Sequence, residues 1–327
     1  MRPTIGITAG DPAGIGLEVI FKALPKTLRA AQWVLFTDPA TFEQNYAVFG
    51  AGLPTRWIQN PDDVSGDPVL FLCEVAGARC PIPWGDINPD AGKRALGYLR
   101  AASDAARSGK IQGIVTAPVS KEAIGGGFAG QTDKLAEWAG IDRFAMAFFA
   151  PTFKVVLATI HVSLRQALDQ LTTERYLDLI RFVHSEFVRL RFAVPRIAVA
   201  AINPHAGEGG MFGREDIDVL EPVVNQCKAE GIRVSGPHSA DSLYYRAHSG
   251  EFDVVIAPYH DQGLAPIKLI AHGDSVNVTL GLPYVRTSPD HGTAFEIAGK
   301  GLADPSGMRS ALQCAVDLLE RQSLHKP

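Results

Sequence analysis

Along the 327 residues, short apolar runs rich in β-branched side chains alternate with longer stretches in which apolar residues recur every three or four positions. The first pattern predicts strands buried on both faces and the second predicts amphipathic helices, so the alternation predicts a largely parallel α/β fold. Strands are expected at Thr4 to Thr8, Trp33 to Thr37, Pro68 to Leu72, Gly113 to Thr116, Lys154 to Ile160, Arg196 to Ile202, Arg233 to Ser235 and Val254 to Pro258. Helices are expected between them, among others at Gly92 to Ser108, Leu164 to Gln170, Thr173 to Arg191 and Glu215 to Glu230. The last of these puts Glu215, Asp216 and Asp218 in its first turn, where negative charge suits the helix dipole. The length suits two domains of ordinary size. The strongest break in mid-chain is the patch GGGFAG at 125–130, which fits either a domain boundary or an active-site loop.

In folds of this kind ligands gather beyond the carboxyl ends of the strands, so the residues that follow each apolar run carry the chemistry. Three runs end alike: VVLATIH on His161, IAVAAINPH on His205 and VVIAPYH on His260. Three imidazoles on one rim suit a divalent metal with an open coordination position, the alternative being that each histidine caps its strand by hydrogen bonding. The first loop, AGDPAGIG, follows a strand and opens a helix, without the glycine spacing of a dinucleotide or Walker motif; it reads either as an anion site or as a tight turn. In IVTAPVSKEAIGGGFAGQTDKLAEW, the residues Lys121, Gln131, Thr132 and Asp133 lie near flexible glycines, where their donors suit a phosphate or carboxylate, though a bare surface loop would look similar. Lys268, Asn277 and Arg286 stand in the apolar segments APIKLI, SVNVTLGL and YVRTS. A cation there needs a partner, either an anionic substrate or an internal ion pair. Asp241, in SADSLYY, is a candidate base, with a helix cap as the alternative.

Charge and composition narrow the partners. The formal net charge is −4 and no lysine or arginine cluster stands out, which argues against nucleic acid. No apolar run is long enough to span a bilayer and the amino terminus has no signal-peptide pattern, so a soluble, cytoplasmic protein acting on a small molecule is expected. Cys73, Cys80, Cys227 and Cys314 form no CxxC pair and read as reduced thiols.

Taken in order, GDPAGIG, TAPVSK, GQTD, INPHAGEGGMFGRED, YHDQGLAPIK and VNVTLGLPYVRTSPDHGTAFEIAGKG closely resemble the 4-hydroxythreonine-4-phosphate dehydrogenase family of pyridoxal phosphate biosynthesis, over almost the whole chain. The resemblance implies a two-domain fold like that of isocitrate and isopropylmalate dehydrogenases, with largely parallel sheets and helices on both faces. Residues 1–127 with 280–327 are expected to form a cofactor-side domain and 128–279 a second α/β domain carrying the metal ligands, with the active site in the cleft between them. His161, His205 and His260 are implied as ligands of one divalent metal, whether zinc, magnesium, manganese or cobalt. Gln131, Thr132, Lys268, Asn277 and Arg286 are implied as substrate-binding, and Lys268 also as the residue that orients substrate and transfers a proton. The stretch with His291, Gly292, Thr293 and Ala294 is similar to the loop that holds the adenosine part of NAD or NADP in those enzymes, and a homodimer with shared active sites is implied.

The implied reaction is oxidation of 4-phosphooxy-L-threonine to 2-amino-3-oxo-4-phosphooxybutanoate, which loses carbon dioxide to give 3-amino-2-oxopropyl phosphate. One position departs from the family. Where GHTE is usual this protein has GQTD, and the glutamine can donate a hydrogen bond but cannot carry a proton or a positive charge. D-threonate or D-erythronate 4-phosphate, or a cyclic dihydrodiol carboxylate, is the alternative substrate.

Overall fold

The computed structural model describes residues 2–50, 52–75 and 80–323. In sequence order its strands are β1 Thr4–Thr8, β2 Gln32–Thr37, β3 Thr55–Ile58, β4 Leu70–Glu74, β5 Gly113–Thr116, β6 Ala145–Phe149, β7 Lys154–Leu157, β8 Ile197–Ala200, β9 Val234–His238, β10 Val254–Ala257, β11 Val276–Leu280 and β12 Val285–Pro289. The protein divides into two compact units, Met1–Phe144 with Val276–Pro327, and Ala145–Ser275.

In the first unit the strands lie in the order β3-β4-β2-β1-β5-β12-β11, all parallel except the antiparallel pair of β11 and β12. Every residue of β1 is buried, as its unbroken apolar and threonine sequence requires of a strand covered on both faces. The helix Pro89–Arg107 starts where the Asn88 side chain accepts from Asp90 N–H, has proline at its first position, and carries Arg107 in its last turn. Its buried stripe of Ala91, Ala95, Leu99, Ala102 and Ala106 follows the helical period and packs on the sheet. The helix Gln131–Ala139, closed by Gly140 in the left-handed region, packs against it and buries Leu135 and Ala136. This packing puts residues 128–144 in the first unit rather than the second, and the β11–β12 pairing does the same for 276–279.

The second unit has the order β6-β7-β10-β8-β9, with β6 antiparallel to β7 and the remaining neighbours parallel. Its core gathers Phe148, Phe153, Val155, Leu157, Leu243, Val255 and Ile267. The helix expected from Glu215 starts instead as a π-helical turn, Asp216–Leu220, and becomes α-helical over Glu221–Ala229. Among the described residues no helix is long and apolar enough to cross a membrane.

Candidate active site

In the second unit β7, β10 and β8 are consecutive parallel neighbours, and each is followed within five residues by one of the three histidines. The backbone beyond the strands keeps two of them together. Ala158 N–H donates to Ala257 O at 2.9 Å and the Thr159 hydroxyl donates to Pro258 O at 2.8 Å, so the segments that lead to His161 and His260 run side by side. Their ring centroids lie 5.8 Å apart, on a pocket of about 300 Å³ lined by His161, Val162, Leu164, Tyr259, His260 and Asp261. His260 opens the helix His260–Ile270, which the Gln262 amide ties to Ala201 O at the end of β8. His260 Nδ1 is 2.7 Å from Asp261 Oδ1.

His205 is reached by an unusual backbone. His205, Ala206, Gly207, Glu208 and Gly209 have φ values of 51°, 54°, 81°, 45° and 66°. Such a run of left-handed residues costs about 1–2 kcal/mol for each member that is not glycine. A fully buried carboxylate holds it in place. Asp216 accepts from Ile202 N–H at 2.7 Å, from Asn203 N–H at 3.0 Å and from the Asn203 side chain at 3.0 Å, which fixes the backbone immediately before the left-handed run. His205 Nδ1 meets Glu208 Oε2 at 2.7 Å, and its Nε2 lies 3.7 Å from Asp241 Oδ2. The Ser239 hydroxyl, 2.8 Å from Asp241 Oδ1, holds the Asp241 carboxyl below the usual carboxylate range, and His205 acts in the same direction.

Among the described residues no three His, Cys, Asp or Glu side chains lie close enough together to hold a metal ion. The donor chemistry nevertheless fits a borderline divalent cation. On His205 and His260 a carboxylate engages Nδ1, the arrangement that orients an imidazole and leaves Nε2 as the ligand atom.

In the first unit Arg286 lies on β12 with 2% of its surface exposed. Its partners are neutral. Nε and Nη2 donate to Thr116 Oγ1 at 3.2 and 2.7 Å, and Nη1 donates to Thr132 Oγ1 at 3.3 Å and to Thr279 Oγ1 at 3.1 Å. Burial pushes the guanidinium down to about 10. Each hydroxyl oxygen that accepts from Arg286 keeps its own hydrogen to donate elsewhere, so the three threonines are donors beside a buried positive charge. Asn277 and Thr279 alternate onto one face of β11, and Asn277 Oδ1 is buried with no hydrogen-bond partner among the described residues. Gln131 donates its amide to Ala117 O at 3.2 Å, and its Oε1 is likewise buried with no partner among the described residues. Lys268 is placed on the helix His260–Ile270 of the second unit, half-buried. Lys121 and Asp133 are exposed.

The loop with His291, Gly292, Thr293 and Ala294 follows β12. His291 is exposed, with Nδ1 3.0 Å from Gly292 O, and Ala294 is left-handed with φ 44°. Thr293 O accepts from Ile15 N–H at 3.1 Å, and a Cβ on Gly14 would lie 3.0 Å from that oxygen, so glycine is what lets the two loops touch. The N–H groups of Ala13, Gly14 and Ile15 are taken by Asp11 Oδ1, Asp11 O and Thr293 O. Of the two readings of GDPAGIG, the tight turn is the one that accounts for these bonds. Through Ile15 N–H it is tied to the 291–294 loop.

The profile of the family described as pyridoxal phosphate biosynthetic protein PdxA matches residues 29–315. The chain belongs to the PdxA family. It is 39% identical to the 4-hydroxythreonine-4-phosphate dehydrogenase of Beijerinckia indica, over 96% of this chain and 94% of that one. It is also 39% identical to the D-threonate 4-phosphate dehydrogenase of Cupriavidus necator, over 98% of both. The solved 4-hydroxythreonine-4-phosphate dehydrogenase of Klebsiella pneumoniae superposes with a TM-score of 0.87 at 36% identity, covering 97% of this chain and 99% of that one. A β-decarboxylating dehydrogenase of Thermococcus kodakarensis, at 15% identity and a TM-score of 0.53 over 98% of this chain and 84% of that one, shares the fold. Two groups that support the motifs of this PdxA-family protein were not legible in the sequence. Thr116 and Thr279 hold Arg286 from segments far away in sequence, and Asp216 holds the His205 turn from what reads as an ordinary helix start. A threonine closing a strand and an aspartate at a helix N-terminus are too common to signal either role.

Proposed function

We propose that the protein is a metal-dependent, NAD(P)-linked oxidoreductase acting on a CH–OH group, which oxidises 4-phosphooxy-L-threonine to 2-amino-3-oxo-4-phosphooxybutanoate in pyridoxal 5′-phosphate formation. The observation that carries this reading is the succession of His161, His260 and His205 behind three neighbouring parallel strands in a protein of this family. These three histidines would hold the divalent metal, and when bound it supplies Lewis acidity that stabilises negative charge developing on the substrate hydroxyl. His291, Gly292, Thr293 and Ala294 would hold the adenosine part of NAD or NADP, a cofactor that would supply the hydride acceptor.

The remaining work falls to the protein's own side chains. Thr132, Asn277 and Arg286 bind and orient the anionic substrate, the buried guanidinium acting through the threonine hydroxyls it polarises. Lys268 orients substrate and moves the proton, and Asp241, beside His205, is the second candidate base. The β-keto acid product then loses carbon dioxide to give 3-amino-2-oxopropyl phosphate. A cytoplasmic homodimer with shared active sites completes the proposal. The second reading, D-threonate or D-erythronate 4-phosphate as substrate, is favoured by the relative of equal identity that carries the D-threonate name and by Gln131 at the family's histidine position.

The test is formation of reduced nicotinamide from 4-phosphooxy-L-threonine with NAD⁺ or NADP⁺, run with and without a chelator. Turnover is expected to require metal and to vanish in His205→Ala. A folded, metal-loaded protein that is silent with this substrate but active on D-threonate 4-phosphate would transfer the assignment to the second reading.

A further inference from the structure

We infer that the ion pair Glu18–Lys22 is a positioning pair for the cofactor: it latches the far end of the 291–303 loop onto the helix Gly16–Thr27, a role that rests on the reading of residues 291–294 as cofactor contacts. Between β12 and the helix Ser306–Ser323 the chain has one regular element, the 3-10 turn Phe295–Ile297. So irregular a stretch keeps one shape only if its backbone groups find partners outside it. Ile15 N–H supplies one such partner, to Thr293 O. The ion pair supplies three more at the other end. Lys22 Nζ donates to Gly301 O at 2.7 Å and to Ala303 O at 3.0 Å, and Ala303 N–H donates to Glu18 Oε1 at 2.8 Å.

The third hydrogen of the ammonium goes to Glu18 Oε1, at 2.6 Å, one turn back on the same helix. Glu18 is 1% exposed. A pair that served only its own helix would gain as much facing solvent, without the cost of burying a carboxylate. This one is turned onto the loop. Midway along, a Cβ on Gly299 would run into the Trp84 ring, so the bare backbone lies directly on the indole. The loop is thus held at 293, at 299 and at 301–303, while His291, Gly292, Glu296 and Lys300 stay exposed. An exposed face on a loop already held in shape is what a dinucleotide contact needs, because affinity falls in proportion to the fraction of molecules in which the loop is out of shape.

The experiment follows trypsin cleavage after the exposed Lys300 by mass spectrometry, beside steady-state kinetics with NAD⁺ or NADP⁺, in the native protein, Lys22→Met and Glu18→Gln/Lys22→Met. The double variant leaves no unpaired buried charge and decides alone if the single one does not fold. Cleavage tracks the open fraction of the loop and the cofactor KM tracks the closed fraction. Loss of two charge-assisted hydrogen bonds is expected to speed cleavage about 100-fold and to raise the cofactor KM about tenfold, with kcat and the KM of the phosphorylated substrate within about twofold of native. Saturating cofactor is expected to return the cleavage of the variants to near the native rate. Native cleavage and native KM in both variants overturn the role of the pair and leave the cofactor reading standing. Faster cleavage with an unmoved cofactor KM and no protection by cofactor overturns the cofactor reading of the loop, and the role of the pair falls with it. A substrate KM that rises in step with the cofactor KM marks a general loss of structure and also overturns the role.

Discussion

Arg286 shows what one side chain can impose. Its charge is buried, among the described residues no carboxylate answers it, and three threonines from distant segments share its N–H groups. A lysine would keep the charge and lose the planar fork that reaches three oxygens at once. Arg286→Lys is expected to lower unfolding stability by about 1–3 kcal/mol in urea titrations, the cost of leaving buried hydroxyls poorly paired. The KM for the phosphorylated substrate is expected to rise about tenfold or more, with kcat less affected, since the residue binds and orients. An unchanged KM would remove Arg286 from the substrate site. That this cation needed a partner was legible in the sequence, because arginine stands among apolar residues in YVRTS. Who the partner is was not. The two candidates were an anionic substrate and an internal ion pair, and the internal partners turned out to be neutral hydroxyls that only folding brings together.

At the scale of elements, strand β9 ends the sheet of the second unit and makes it sensitive to acid. His238 closes β9; its Nδ1 accepts from Arg246 at 3.3 Å, so Nε2–H donates to Ser235 Oγ at 2.9 Å and the ring is neutral. Burial first, then the Arg246 charge, lower the proton affinity of His238 below its ordinary value. The unfolded protein thus binds a proton near pH 6.5 that the folded one refuses, and stability is lost as the pH falls below about 6.5. Urea midpoints at about pH 5 are expected to lie below those at about pH 7.5, with part of the difference abolished in His238→Asn. A midpoint that rises on acidification in the native protein but not in the variant would reverse the assignment.

Elements were legible where the pattern was pure. Thr4–Thr8 and Gly113–Thr116 were readable to the residue because they are covered on both faces. β11 and β12 were missed because Asn277, Thr279 and Arg286 interrupt their apolar runs, and β3 because Arg56 and Trp57 face solvent. The helix Gln131–Ala139 was hidden behind the glycines that precede it, and the histidine positions were legible since they depend only on where strands end.

For the whole molecule, the proposed ligands are also stabilisers. A metal or nicotinamide that binds only the folded protein adds about 2.7 kcal/mol at a hundred times its Kd. Thermal unfolding in excess zinc is accordingly expected about 4–8 °C above that in a chelator. Coincident transitions would argue that no cation binds the folded state. The turn that carries His205 has a different kind of consequence. Over residues 205–209 the backbone winds as the mirror image of an ordinary helix. Along those few residues the comfortable stereochemistry is that of D-amino acids, and in a semisynthetic version of the protein a D-alanine at position 206 would sit at ease where the natural enantiomer is strained.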